Sequence, residues 1–438
     1  MKYYLTTLLF CLFFIQVNAQ KPTLLSGPVI GSVTTNSAKI WIAYKGKSDN
    51  VIALFDAKNK EVKFPTNLDY IKNKKDVIAM TLSFTGLREN TEYIITVKFN
   101  DQIMSDSYKL TTLSKAPIKD FSFIAGSCFL EWPNGFGKMF FPGAHKRIFE
   151  PMIRDTSADF NLWMGDNTYL LFGQWNSFEK NFKRQLKTRT TNKLYSKYLM
   201  SRPNYAIWDD HDFGPNDCNG NFALKDTSLK IFTHFWPNES FGIPGTKGIF
   251  SSFKQYDCEF FLLDDRYYRS DEDDSTGKLL GDEQMQWLKL NLLQSKATFK
   301  FIVTGSQVLN KQTEKECWMS DYPADTKDFL SFIDNNNITG LMFLTGDRHL
   351  TRVIKDTSFT NYPLYDFTIS PVLSILTKET EIEINNPLVV PGTLVQGKRN
   401  YATIEVKGEV NQRKCIIKDF DEYGVKQWEI EIGEEDLR

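Results

Sequence analysis

The chain has 438 residues, of which 41% are apolar and 24% charged, with 53 Lys and Arg against 54 Asp and Glu. That length exceeds one average domain, and that balance excludes general disorder. A net charge of −1 supplies no basic field to draw the chain to nucleic acid or anionic lipid, and four histidines exclude a site built from many imidazoles.

The first 19 residues read as a secretory signal peptide. Lys2 is followed by an apolar run from Leu5 to Ile15 and by the small-residue exit Val17-Asn18-Ala19 before Gln20. The run is shorter than the ~20 residues a spanning helix needs, so no membrane span is expected. The mature protein is expected to be exported, to a periplasmic or extracellular location. Beyond the leader lie Cys128, Cys218, Cys258, Cys317 and Cys415. An odd number leaves at least one thiol without an intramolecular partner.

Residues 20–115 alternate in short stretches such as Ser37 to Tyr44, Val51 to Phe55 and Tyr93 to Phe99, punctuated by Gly, Asn and Asp. This pattern predicts an N-terminal antiparallel β-sandwich, and Ser114-Lys115-Ala116-Pro117 reads as a linker. From residue 118 to 438 the pattern predicts a layered α/β domain with C-terminal strands. Apolar strands are expected at 121–125, 160–164, 205–208, 260–263, 301–303 and 341–344, with helices at 282–295 and 325–335 between them. Strands return at 401–406 and 427–432.

A polar cluster follows each of five predicted strands. These are Gly126-Ser127-Cys128, Gly165-Asp166-Asn167-Thr168-Tyr169, Asp209-Asp210-His211-Asp212, Asp264-Asp265-Arg266 and Gly346-Asp347-Arg348-His349. In open α/β sheets ligands bind at the carboxyl edge of the strands. Converging carboxylates repel, so a cation belongs among them. Asp166, Asp209, Asp210 and Asp347 offer oxygen, His349 an imidazole, Cys128 a thiolate and Tyr169 a phenolate. Thiolate with phenolate suits an oxidised transition metal, and the spare carboxylates suit a harder cation such as calcium. Two such cations clamp a phosphate and lower the pKa of a bridging water. Arg266 and Arg269 read either as phosphate contacts or as support for the carboxylates. His145 and His234 have no titratable cluster around them and read as structural.

Taken in order, these blocks resemble the alkaline phosphatase D family of calcineurin-like and purple-acid-phosphatase-like metallophosphoesterases. Gly27-Pro28-Val29-Ile30-Gly31 and Ala38-Lys39-Ile40-Trp41 resemble its N-terminal sandwich, and Asp265-Arg266-Tyr267-Tyr268-Arg269 and Leu280-Gly281-Asp282-Glu283-Gln284 fit between its later blocks. The resemblance implies a phosphate mono- or diesterase acting on a small phosphate ester through a hydroxide that bridges ferric iron and calcium, other divalent metals not being excluded. It implies that Cys128, Asp166, Tyr169 and His349 hold the iron. Asp166 would bridge to calcium, with Asp210 and Asp347 completing that site and Asp209 acting in place of or beside Asp210. It further implies that His211 protonates the leaving oxygen, while Asn167 and Arg266 hold the phosphate. The stretch Asp212-Phe213-Gly214-Pro215-Asn216-Asp217 departs from the family's acidic-aromatic continuation, which bears on the substrate more than on the metals.

Two other readings share the same residues: a phospholipase- or nuclease-type diesterase, and a non-catalytic secreted binding protein with a structural metal. Near-neutral charge argues against a nucleic-acid partner. The chain has no G-x-S-x-G, no G-x-x-x-x-G-K-[ST] and no H-E-x-x-H.

Overall fold

The computed structural model describes residues 22–46, 50–56, 58–99, 102–105, 108–132, 144–271, 276–313, 315–378 and 381–438. The leader assigned to residues 1–19 and the side chain of His145 lie outside the described residues.

The chain begins with two antiparallel sheets. The first has strand order β1 (Thr23–Val33), β2 (Ser37–Lys45), β6 (Val77–Thr85) and β5 (Asn67–Lys72). The second runs β4 (Glu61–Lys63), β3 (Asn50–Asp56) and β7 (Glu92–Phe99), with β8 (Gln102–Ile103) and β9 (Tyr108–Thr111) both pairing to β7. Strand β2 explains its own composition. Successive side chains point to opposite faces. Ile40, Ile42 and Tyr44 fill the core between these two sheets, whereas Trp41 and Ala43 enter the large core of the rest of the chain. Both faces are covered, so β2 is continuously apolar from Ile40 to Tyr44. Trp41 Nε1 also donates to the His234 carbonyl at 2.7 Å, which ties the first sheet to the segment beyond.

The remainder is α/β and carries two six-stranded sheets. One has the order β12 (Asn204–Ile207), β11 (Phe160–Met164), β10 (Phe121–Gly126), β19 (Asn400–Lys407), β20 (Lys414–Asp421) and β21 (Lys426–Gly433). The other has the order β13 (Ser251–Gln255), β14 (Cys258–Leu262), β15 (Phe299–Val303), β16 (Leu341–Thr345), β18 (Leu364–Thr368) and β17 (Arg352–Asp356). Strands β10, β11 and β12 are mutually parallel, as are β14, β15, β16 and β18. These strands are buried along their lengths, which is why they read as apolar runs rather than alternating ones. Phenylalanines fill the space between the sheets. Phe123 stacks on Phe160 at 4.8 Å and meets Phe260 edge-on at 5.2 Å across the layer.

Helices lie between the strands: α1 (Ala144–Arg154), α2 (Phe178–Thr191), α3 (Lys193–Leu199), α4 (Asp210–Phe213), α5 (Lys225–Phe235), α6 (Asp282–Gln294), α7 (Trp318–Asp321), α8 (Pro323–Asn335) and α9 (Glu381–Ile384). The expected helices at 282–295 and 325–335 are α6 and α8, and the expected C-terminal strands are β19 and β21. Strand β18 escaped the sequence reading because Asp366 interrupts its apolar run. That carboxylate is buried and accepts hydrogen bonds from Thr345 Oγ1 at 2.7 Å and from the Val308 and Leu309 amides at 2.7 and 3.1 Å. The five cysteines among the described residues are all free. Among the described residues no helix is long and apolar enough to cross a membrane.

Candidate metal centre

The strand ends are laced together before any side chain is considered. The Cys128 amide donates to the Gly165 carbonyl at 3.2 Å and the Phe129 amide to the Asp166 carbonyl at 2.8 Å, joining the loops after β10 and β11. The Gly346 amide donates to Gly305 at 2.8 Å, joining the loops after β16 and β15. Glycine is required at this crossing: a Cβ at Gly346 would lie 2.6 Å from Ser127 Oγ and 2.7 Å from the Met164 carbonyl. Cys128, Asp166, Asp347 and His349 all hold left-handed backbone, with φ of 59°, 56°, 63° and 55°. Such conformations cost roughly 1–3 kcal/mol each and persist where surrounding structure imposes them. Here four of the predicted donors share that strain.

The donor atoms meet. One ligand atom each from Cys128, Asp166 and His349 lie within 4.8 Å of one another, and the same holds for Asp166, Asp210 and His211. Asp166 belongs to both groups. Tyr169 Oη lies 2.8 Å from His349 Nε2, and its ring stacks on that of His211 with centroids 4.1 Å apart. Asp166, Asp210, His211, Asp347 and His349 line one cleft of about 510 Å³, which also takes in the exposed Lys315 and Lys378.

Electrostatics at this centre favour a cation. Burial, with help from neighbouring carboxylates, pushes Cys128, Asp166 and Tyr169 far above their ordinary values. Burial, then Glu316 and Asp210, pushes Asp347 up to about 7. Burial brings His349 down to about 4, with His211 adding to the effect. Asp210 behaves differently. Burial raises it, but His211, Arg266 and the Asp217 amide outweigh that and hold it below the ordinary carboxylate range. Negative donors forced together in a dry pocket are stabilised in their charged forms by a bound cation. Sulfur, phenolic oxygen, carboxylate and imidazole therefore form a set that fits a transition metal beside a harder ion.

Three of the expected site residues face elsewhere. Asp209 caps α4 and takes Arg266 Nε on its Oδ1 at 2.6 Å, so its neighbour Asp210 is the one that faces the cleft. Arg266 is fully buried and also forks onto Glu316, with Nη1 at 2.9 Å from Oε1. Asn167 is fully buried as well. Its amide donates to the Ile207 carbonyl at 2.6 Å and to Asp212. None of the three lines the cleft. The physical reason is common to all: each sits one layer behind the donors, where turns and carboxylates need partners. Asp212 shows that layer most plainly. Its carboxylate accepts the Asn167 and Thr168 amides at 2.9 and 2.7 Å and so shapes the turn that carries Asp166. The block after β14 is likewise scaffold. Asp264 binds Trp208 Nε1 at 2.8 Å, and Asp265 binds Thr304 Oγ1 at 3.0 Å.

A sixth loop, after β18, went unseen in the sequence because its strand did. Ser370 Oγ donates to Cys128 Sγ at 3.1 Å, and Ser374 Oγ donates to Tyr169 Oη at 3.5 Å. The expectation for His234 matches its surroundings: Nδ1 meets the Lys230 carbonyl at 2.6 Å and Nε2 meets Asp69 at 3.2 Å, in contact with the first sheet rather than the cleft.

The PhoD-like phosphatase family model matches residues 123–387, more than half of the chain. A search of functionally curated proteins yields no match. Among solved structures, one described as the structure of PhoD superposes with a TM-score of 0.69 at 17% identity, covering 91% of each chain. Purple acid phosphatase PPD1 from yellow lupin (Lupinus luteus) seeds superposes with a TM-score of 0.66 at 10% identity, covering 94% of this chain and 74% of that one. The shared fold, the donor cluster at the strand ends and the family match lead to one assignment: the chain belongs to the PhoD-like phosphatase family and is a metal-dependent phosphoric ester hydrolase.

Proposed function

We propose that the protein is an exported phosphatase that hydrolyses small phosphate mono- or diesters with ferric iron and calcium as its cofactors. The observation that carries this reading is the sharing of Asp166 between two donor groups, Cys128 with His349 on one side and Asp210 with His211 on the other. Cys128, Asp166, Tyr169 and His349 would hold the iron, and Asp166, Asp210 and Asp347 the calcium. When bound, such a pair supplies a nucleophile from water at neutral pH and neutralises the phosphoryl oxygens.

The remaining roles fall to this chain's own groups. His211 lines the cleft with its ring packed on Tyr169, a placement suited to protonating the leaving oxygen. Its buried Nδ1 has no partner among the described residues, and His211 belongs to one of the two donor groups, so the ring can also serve as a further donor. Asp209, Arg266 and Asn167 are read as supports: Arg266 neutralises Asp209 and Glu316, and Asn167 pins the Asp166 turn. Residues 20–115 are read as a sandwich unit and 118–438 as the catalytic unit, with residues 1–19 as the export signal. No nucleic-acid partner is proposed.

The test is metal analysis of purified mature protein, a visible spectrum, and turnover of a nitrophenyl phosphate, its bis-ester, a phospholipid and DNA. Iron, a visible band and turnover of the nitrophenyl esters support the reading. A colourless, iron-free, fully active enzyme retires the iron. Preference for lipid or DNA moves the protein to the corresponding diesterase class, and hydrolysis of none of them overturns the enzyme reading.

A further inference from the structure

The loop after β18 runs alongside the segment that carries Cys128. The Val372 amide donates to the Ser127 carbonyl at 2.8 Å, the Leu373 amide to the Cys128 carbonyl at 3.1 Å, and the Leu130 amide returns to the Leu373 carbonyl at 2.6 Å. This pairing delivers a fully buried hydroxyl, that of Ser370, to the sulfur of Cys128 at 3.1 Å. The same oxygen accepts the backbone amide of His349 at 3.0 Å. A hydroxyl has one proton to give and two lone pairs, so both bonds form at once. Ser370 is itself fixed: its amide donates to Thr351 Oγ1 at 3.1 Å, and its carbonyl accepts Asn400 Nδ2 at 2.8 Å.

We propose that Ser370 is a positioning residue of the metal centre, its hydroxyl donating to the Cys128 thiolate while its oxygen holds the His349 backbone, so that one side chain sets two donors from different strand ends. The proposal rests on the metal reading above and adds a residue that touches neither substrate nor metal. A hydrogen bond to a thiolate lowers the energy of the sulfur lone pairs and, with the bond to the His349 amide, fixes where two donors stand, so its loss raises the lone-pair energy and releases both donors. Partners one step removed from a metal typically change its affinity by about 10–100-fold when lost. Ser374 repeats the arrangement four residues further along the same loop, with a longer contact to Tyr169 Oη. Ser127 Oγ lies 3.6 Å from the same sulfur but also bonds the Ile369 carbonyl at 2.8 Å, which leaves Ser370 as the closer donor.

The test uses full-length mature protein, stripped of metal and reconstituted with iron and calcium salts. Ser370→Ala is expected to move the visible charge-transfer band to longer wavelength and to lower iron affinity, measured by competition with EDTA, by about 10–100-fold. Ser370→Thr, which keeps the hydroxyl, is expected to restore both. A folded Ser370→Ala protein with wild-type band and affinity overturns the proposal. Should Ser370→Ala fail to fold, wild-type protein refolded and reconstituted in D2O decides: the iron–sulfur stretch in its resonance Raman spectrum is expected to shift relative to H2O, and an unshifted stretch is the overturning result. Wild-type protein that takes up no metal overturns the metal reading itself, a distinct outcome from metal-bound variants that match the wild type.

Discussion

The phenolic oxygen of Tyr169 lies 2.8 Å from Nε2 of His349, although 180 residues separate them in the chain. Tyr169 follows β11 and His349 follows β16, so this contact joins the two six-stranded sheets at the cleft. Tyr169→Phe removes the oxygen and leaves the imidazole without that partner. On the proposed iron assignment, in which Tyr169 is itself a ligand, the expected outcome is lowered iron retention and a shifted or lost visible band. Cys128→Ser is expected to recolour the site in the same assay. His349→Ala is expected to abolish turnover, and full activity with unchanged metal content in that variant removes His349 from the ligand set.

Arg266 joins Asp209 and Glu316 in a network with no exposed surface at the guanidinium. Removing one member of a buried ion network strands the others, at a cost of about 3–5 kcal/mol. Arg266→Gln is therefore expected to lower Tm sharply while leaving KM for a phosphate ester unchanged in the protein that remains folded. A raised KM with an undisturbed melting curve returns Arg266 to the role of phosphate contact.

Three acidic residues of the cleft that lie outside the candidate donor set are compensated. Glu316 and Asp321 pair with Arg269, and Glu383 pairs with Arg348 at 2.7 Å. The ammonium groups of Lys315 and Lys378 have no ion-pair partner among the described residues. They are placed to attract an anionic ester. The double substitution Lys315→Gln, Lys378→Gln is expected to raise KM several-fold at low ionic strength and to leave kcat unchanged. The difference is expected to shrink near 0.15 M salt, where the screening length falls to about 8 Å. Steady-state kinetics at two salt concentrations checks both parts.

Asp419 sits on β20 opposite Trp428, fully buried, and neither carboxylate oxygen has a hydrogen-bond partner among the described residues. Burial, then Asp421, pushes it well above the ordinary value. The folded protein thus binds this proton more tightly than the unfolded chain, in which an aspartate titrates near 3.9. The favourable contribution is complete below that unfolded value and is lost as pH rises through the folded one. Asp419→Asn is expected to raise Tm at pH 7 to 8, with the gain shrinking as pH falls toward 4. Thermal melts of both proteins across that range check the sign, and a destabilised variant at pH 8 contradicts it.

Much of this was legible in one dimension. Trp41 and Ala43 interleaved with Ile40 and Ile42 announced a strand, and the buried runs at β10, β11, β14, β15 and β16 announced a layered sheet. The polar residues released after β10, β11, β12 and β16 include the candidate donors, whereas the equally titratable cluster after β14 braces the neighbouring turns. What the pattern could not distinguish was rank within a cluster. Asp209 and Asp210 are chemically identical neighbours. One caps a helix against Arg266 and the other faces the cleft, a choice made by the turn at the start of α4.

The order of residues alone determined the fold class and the donor types, since side-chain periodicity and ligand chemistry are local properties carried by the residues themselves. Only the folded chain decided which donors converge, which turn back to brace them, and that Ser370, 242 residues from Cys128, shares a hydrogen bond with its sulfur. Distances between loops depend on how two sheets pack and on left-handed turns imposed by close backbone approach, and neither leaves a periodic trace in the sequence.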